Sequence, residues 1–354
     1  MARDIISRRG DGRVYTTSKS SLMDDVLKGA GMAVDFGGVP ELKSDDAERI
    51  VDILSNPNRI VGVEPGNEVV LSEDGGPVKI MIDSGGSGNG LQISRMDAIL
   101  VNERLLGFDS FQLGHNDYSI KPVKPLIYYE MQAMEQIQLL STVPMFYGAM
   151  PNMGLYYAPD GPFENPIDLM REGKIEEGME QAEKAADQLS MDTAFVATKM
   201  MEVGTEGFNF DTTASAGDAE FVAALKGCKK LRDAYPNAYI EMGMASETVL
   251  GIHGSIEYDG QTVAGMYPHE QVKIAEKAGV NVFGPVVNTN SSETFAWNLG
   301  RAVTLVKECE RVSNIPCHVN MGMGVGGIPV SATAVDAVTR ASKAMVEIAK
   351  VDGI

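Results

Sequence analysis

Cysteine is scarce: the chain has three among 354 residues. Cys228, Cys309 and Cys317 form no CxxC pair and offer no disulfide framework, which excludes a cross-linked secreted module and fits a reducing cytoplasm. Histidine is nearly as rare, with four residues and no HExxH. His115, His318, Asp211 and Glu241 are ligand types for zinc, but none has signature spacing, so no metal site is expected. Basic residues are outnumbered, 30 against 49 acidic ones, for a formal net charge of −19. A chain of that sign with no basic stripe repels phosphate backbones, which excludes nucleic acid as a partner. The acidity is compatible with a cationic substrate and equally with a well-hydrated surface. No run of roughly eighteen apolar residues exists, and the start, MARDIISRRGDGR, lacks the apolar core of a signal peptide. No membrane partner is expected.

What is present is an alternation of strand and helix patterns. Residues 1–75 read as an N-terminal extension with short helices at 21–29 and after Ser44, a plausible N-cap. Residues 76–354 read as one α/β domain. VKIMID (78–83) is a strand candidate running into SGGSGNG (84–90), which lacks the lysine and hydroxyl of a phosphate loop. Further strand candidates are 108–118, 143–150, 205–213, 238–244, 281–290 and 315–324. Helical periodicity intervenes at 124–141, 168–203, 219–235, 269–279, 292–312 and 338–350. Strands separated by helices argue for a parallel sheet. Counted from residue 108, VDGI (351–354) reads as the start of a seventh strand, one short of a closed eight-stranded barrel. The loop NMGLYYAPDGPFENP suits a wall over a site or a surface decoration.

In parallel α/β folds ligands bind beyond the C-terminal ends of the strands. Those ends carry His115, Asn116 and Asp117; Asn209 and Asp211; Glu241 followed by Glu247; Asn288 and Asn290; and His318 with Asn320. Glu241 stands out, because its neighbours in YIEMGM are apolar and a carboxylate buried there must be paired or bind something. Asp211 could equally open a turn, and His318 could be a satisfied core histidine. The glycines of GMGVGG, namely Gly322, Gly324, Gly326 and Gly327, could cradle a phosphate through backbone N–H groups or let a large group approach. A barrel acting on a phosphorylated metabolite with Glu241 as base therefore stays open, as does a non-enzymatic binding protein.

The runs FYGAMPNMGLYYAPDGPFENP, NFDTTASAGDAEF, ASETVLGIHG, NVFGPVVNTN and IPCHVNMGMGVGGIP resemble the dimethylamine:corrinoid methyltransferases of methylotrophic methanogenic archaea. The likeness runs from RRGDGRVY to the last residue. It implies a (β/α)8 TIM barrel, incomplete here at its C-terminus, that moves a methyl group from dimethylamine to the cobalt corrinoid of a separate protein. Members of the family carry pyrrolysine, encoded by an amber codon, shortly after the VDGI segment, so that residue is expected beyond Ile354 and the chain reads as cut before it. The corrinoid would be borrowed from a dimethylamine-specific corrinoid protein and would not be bound tightly. A corrinoid:coenzyme M methyltransferase would take the methyl group onward, and a homo-oligomer is implied by analogy. Set against that chemistry, strand-end placement makes Glu241 and Asp211 the expected acid–base and cation-binding groups, with His318 and Asn320 orienting the amine. Glu247, His115 and Asn290 would support them, and Gly322, Gly324, Gly326 and Gly327 would line the corrinoid's approach.

Overall fold

The computed structural model describes residues 5–67, 123–126, 153–204, 207–210, 213–214, 217–245, 247–319, 321–322, 324–330 and 334–354. The strand expectations at 78–83, 108–118 and 143–150 lie outside these residues, as does most of the helix expected at 124–141. The described elements are, in chain order, β1 (Ile5–Arg8), β2 (Val14–Thr17), α1 (Lys19–Gly37), α2 (Ser44–Ser55) and β3 (Val123–Leu126). Next come α3 (Pro166–Arg171), α4 (Ile175–Glu202), β4 (Gly207–Phe210), α5 (Asp218–Ala234) and β5 (Tyr239–Ala245). The remainder are β6 (Glu257–Tyr258), β7 (Gln261–Thr262), α6 (Pro268–Ala278), β8 (Val282–Pro285), α7 (Phe295–Val312) and α8 (Val335–Ala344). The helix α8 runs into a π-helical turn at Met345–Ala349. The fold is mixed α/β, and the described strands do not by themselves make up a closed barrel.

The chain divides into two compact units. One contains 1–73, 268–272 and 284–354; the other contains 74–267 and 273–283. In the second, β3, β4, β5 and the start of β8 form one sheet in that order. β4 and β5 run parallel, with Phe208 opposite Ile240 and Asn209 opposite Glu241. β3 is antiparallel to β4. That corrects the helix expected from residue 124, since 124–126 lie in this strand.

Period-2 alternation gives the β4–β5 pair two unlike faces. Phe208, Phe210, Ile240 and Met242 share one face and are all but inaccessible to water. Phe210 lies against α5 at Gly227, where an added Cβ would come within 3.4 Å of its ring and 3.2 Å of Thr193 on α4. This face is therefore the one the helices cover. The opposite face carries Gly207, Asn209, Tyr239, Glu241 and Gly243.

The helix expected over 168–203 is two helices, α3 and α4. The break falls at Gly173, whose φ of 81° lies in the left-handed region that glycine enters freely. α3 is capped by Asn165, whose side chain accepts from Ile167 N, and has proline at its start.

In the first unit α1 crosses α7 at two glycines. A Cβ on Gly29 would collide with the Trp297 carbonyl, and one on Gly300 with that of Val26. Thr294 caps α7 by accepting from Trp297 N at 3.1 Å and donates to Asp25 on α1 at 2.9 Å. α2 begins at Ser44 with Lys43 as its N-cap, so Ser44 is the first helical residue and not the cap. The strands expected at 315–324 and from 351 are reduced to a single parallel bridge. Val319 N donates to Gly353 O at 3.0 Å and Gly353 N to Cys317 O at 3.1 Å, so that His318 stands beside Gly353.

Candidate active site

The inner face of β4 and β5 is set up by what is missing from it. Gly207 has no side chain because a Cβ there would meet Tyr239, and Gly243 has none because a Cβ would lie 2.7 Å from Asn209 Oδ1. In the space so left, Asn209 reaches across to β5 and accepts from Gly243 N at 3.1 Å. That commits the amide oxygen and leaves the NH2 as a donor. Directly opposite Asn209 stands Glu241, 1 % exposed. A carboxylate at that depth costs several kcal/mol to hold charged unless its lone pairs are used, roughly the penalty of an ion taken out of water.

More acid gathers where the chain leaves β4. Thr213 is buried, and its hydroxyl makes no hydrogen bond among the described residues. Asp218 and Glu220, in the first turn of α5, are each 1 % exposed. Burial raises the Asp218 carboxyl above its ordinary range, against the hydrogen bonds it accepts from backbone N–H groups, Ala219 and Ile252 among them. Tyr157, from the loop before α3, is partly buried here. Its hydroxyl is pushed up first by burial and then by the charges of Asp218 and Glu220. This second unit thus carries a buried acidic region at the C-terminal side of β4.

The first unit carries other expected residues. His318 is buried, 9 % exposed, in the segment that pairs with Gly353. Asn290 is exposed, and its side-chain oxygen accepts from Ser292 N at 2.9 Å and from Ser292 Oγ at 2.7 Å, which organises a turn. Gly322, Gly324, Gly326 and Gly327 all have positive φ. Their loop is stitched to its neighbours: Gly326 N donates to Val287 O, Val325 N to Gly322 O and Thr289 N to Gly324 O. Two of the loop's own N–H groups, those of Val325 and Gly326, are thereby spent internally. Glu247 lies just past β5, partly buried. Asp211, Asn320 and His115 lie outside the described residues. Among the described residues no three His, Cys, Asp or Glu side chains are placed to hold a metal ion.

The sequence matches the dimethylamine methyltransferase family over residues 3–354. The chain belongs to that family. No solved structure matches it. A dimethylamine methyltransferase is an enzyme of methyl transfer, which removes the non-enzymatic reading. Among the described residues no helix is long and apolar enough to cross a membrane. Asp218, Glu220 and Tyr157 were not singled out from the sequence. Carboxylates in a helix's first turn read as ordinary complements to the helix dipole, and only their depth sets them apart.

Proposed function

We propose that this chain transfers a methyl group from dimethylamine to the cobalt(I) corrinoid of a separate, dimethylamine-specific corrinoid protein, leaving monomethylamine. In this reading the step belongs to methanogenesis from methylamines in an archaeal cytoplasm, and a corrinoid:coenzyme M methyltransferase collects the methyl group. The observation that carries the proposal is Glu241, fully buried on its strand face opposite Asn209. A buried carboxylate there suits a small organic cation and repels a phosphate ester.

Glu241 holds the ammonium N–H and takes its proton, so that the nitrogen lone pair becomes available. Asn209, its oxygen committed to Gly243, offers only N–H groups and keeps Glu241 as the acceptor on this face. The proposal gives Asp211, His318 and Asn320 the role of orienting the amine and Glu247, His115 and Asn290 a supporting one. In the same proposal a pyrrolysine residue would supply an electrophilic ring imine for the amine nitrogen. The chain's own carboxylates fit such a partner, because they stabilise positive charge developing at nitrogen. The TIM barrel and the homo-oligomer belong to the same proposal, as does a corrinoid that approaches along Gly322–Gly327 and stays with its own protein.

The experiment is turnover of E241Q against wild type with the reduced corrinoid protein as acceptor. It uses the native enzyme, with its C-terminus established by intact mass and peptide sequencing. Glutamine keeps the volume and loses the base. A fall of about 100-fold or more in kcat is expected, the usual scale for losing a general base. Near-wild-type turnover in a folded variant removes Glu241 from the chemistry.

A further inference from the structure

The sequence shows three cysteines with no motif joining them, yet two of them meet. Cys309 lies in the last turn of α7 and Cys317 in the segment that precedes His318, and their Sγ atoms are 3.9 Å apart. Both side chains are fully buried. We propose that Cys309 and Cys317 are a disulfide-forming pair, oxidised by hydrogen peroxide, whose closure fastens α7 to the strand segment that carries His318.

A disulfide needs an S–S distance of about 2.0 Å, so the two sulfurs have to close by roughly 2 Å. The connection between them is short and already folded back. Ser313 N donates to Cys309 O, and Ser313 Oγ donates to Ile315 O at 2.5 Å while accepting from Ile315 N at 3.2 Å. Closing so small a loop removes little entropy from the unfolded chain. The consequence of the bond is therefore positional. Cys317 is the residue that holds the C-terminal strand: its N–H donates to Asp352 Oδ2 at 3.0 Å, and its carbonyl accepts from Asp352 N and Gly353 N. Pulling Cys317 toward α7 moves His318 and the 351–353 pairing with it.

The surroundings supply a base. Glu310 lies within reach of the Cys317 thiol, and burial and then the charge of Asp352 raise its carboxyl. Cys309 Sγ faces the Pro268 carbonyl at 3.7 Å. In the first step Glu310 takes the Cys317 proton and the thiolate attacks one peroxide oxygen. The O–O bond breaks, and the departing hydroxide leaves as water with the proton from Glu310. Cys317 is now a sulfenic acid. The Cys309 sulfur then attacks the Cys317 sulfur, the S–O bond breaks, and a second water leaves with the Cys309 proton. Two thiols and one peroxide give one disulfide and two waters, the two electrons passing from sulfur to oxygen. Both sulfurs are fully buried, so the pair is open to a small oxidant and closed to bulky disulfides.

Cys228 is the internal reference. It is fully buried on α5, where burial pushes its thiol up.

The test exposes the whole chain to graded hydrogen peroxide, then denatures it in an alkylating agent and maps peptides without reduction. Expected is a product lighter by two hydrogens, with one alkylated thiol at Cys228 and a Cys309–Cys317 linked peptide that a dithiol reverses. In the same samples the exchange of the Val319 and Gly353 amides with deuterium should differ between reduced and oxidised protein. C309S should yield no linked peptide and leave a Cys317 sulfenic acid that dimedone traps. Three alkylated thiols at every dose, a link through Cys228, or sulfinic acid at either cysteine with no link overturns the pair. Unchanged exchange at Val319 and Gly353 in the linked form overturns its coupling to the strand.

Discussion

At the scale of single residues, the densest charge cluster of the first unit surrounds Glu347 in the π-helical turn. Its carboxylate accepts from Arg49 Nε at 3.1 Å and Nη2 at 2.6 Å, from Glu64 N at 2.9 Å and from Lys343 Nζ at 2.9 Å. The side chains of Glu347 and Lys343 are 7 % and 9 % exposed. Removing one partner of a buried pair leaves the other charge uncompensated, so Glu347→Ala should cost about 3 kcal/mol of stability in urea unfolding. Burial alone would raise the Glu347 carboxyl, but the hydrogen bonds from Lys343, Arg49 and Glu64 N outweigh it and the net shift is downward. A folded-state pKa below the unfolded one means stability that is complete above pH about 4.3 and is lost as pH falls through the folded value. Urea midpoints followed from pH 7 to 3 should therefore show a shallower acid loss in E347Q than in wild type. Equal slopes would place the acid sensitivity elsewhere.

At the scale of elements, the α1–α7 crossing depends on two positions with no side chain. Alanine is the better helix former by about 0.5–1 kcal/mol, so a loosely packed crossing would gain from Gly300→Ala. The collision with the Val26 carbonyl predicts the reverse, a net loss of about 1–2 kcal/mol once overpacking is set against propensity. A raised melting temperature would show that the helices separate freely. The sequence marks α5, α6, α7, β4, β5 and β8 to within a few residues, because apolar spacing and the glycine and proline stops agree there. It predicts α1 only to residue 29. Beyond that point the buried face is Ala30, Ala33 and Gly37, and small residues give a weak periodic signal. Glu241 was legible because a carboxylate flanked by Ile240 and Met242 contradicts its surroundings. Asn209, though at a strand end, carries no such contradiction, and only the parallel register shows that it faces Glu241.

At the scale of the whole molecule, the net charge of −19 sets two effects against each other. Many ion pairs are exposed and local, such as Lys184 with Glu180, Lys199 with Glu202 and Lys174 with Glu172. Pairs of this kind contribute little, and salt weakens them. The excess of 19 negative charges repels itself over longer distances, which opposes the compact state. At an ionic strength of about 0.1 M the screening length is about 10 Å. That is long compared with an ion-pair contact and short compared with the spacing between distant surface carboxylates, so added salt relieves the repulsion more than it weakens the pairs. The cluster around Glu347 is desolvated and loses least. Thermal unfolding should therefore shift upward between about 10 mM and 150 mM sodium chloride, by a few degrees on the scale of about 2–4 °C per kcal/mol. A downward shift would mean that the surface pairs outweigh the self-repulsion, and that the acidic surplus is offset by geometry that composition alone does not show.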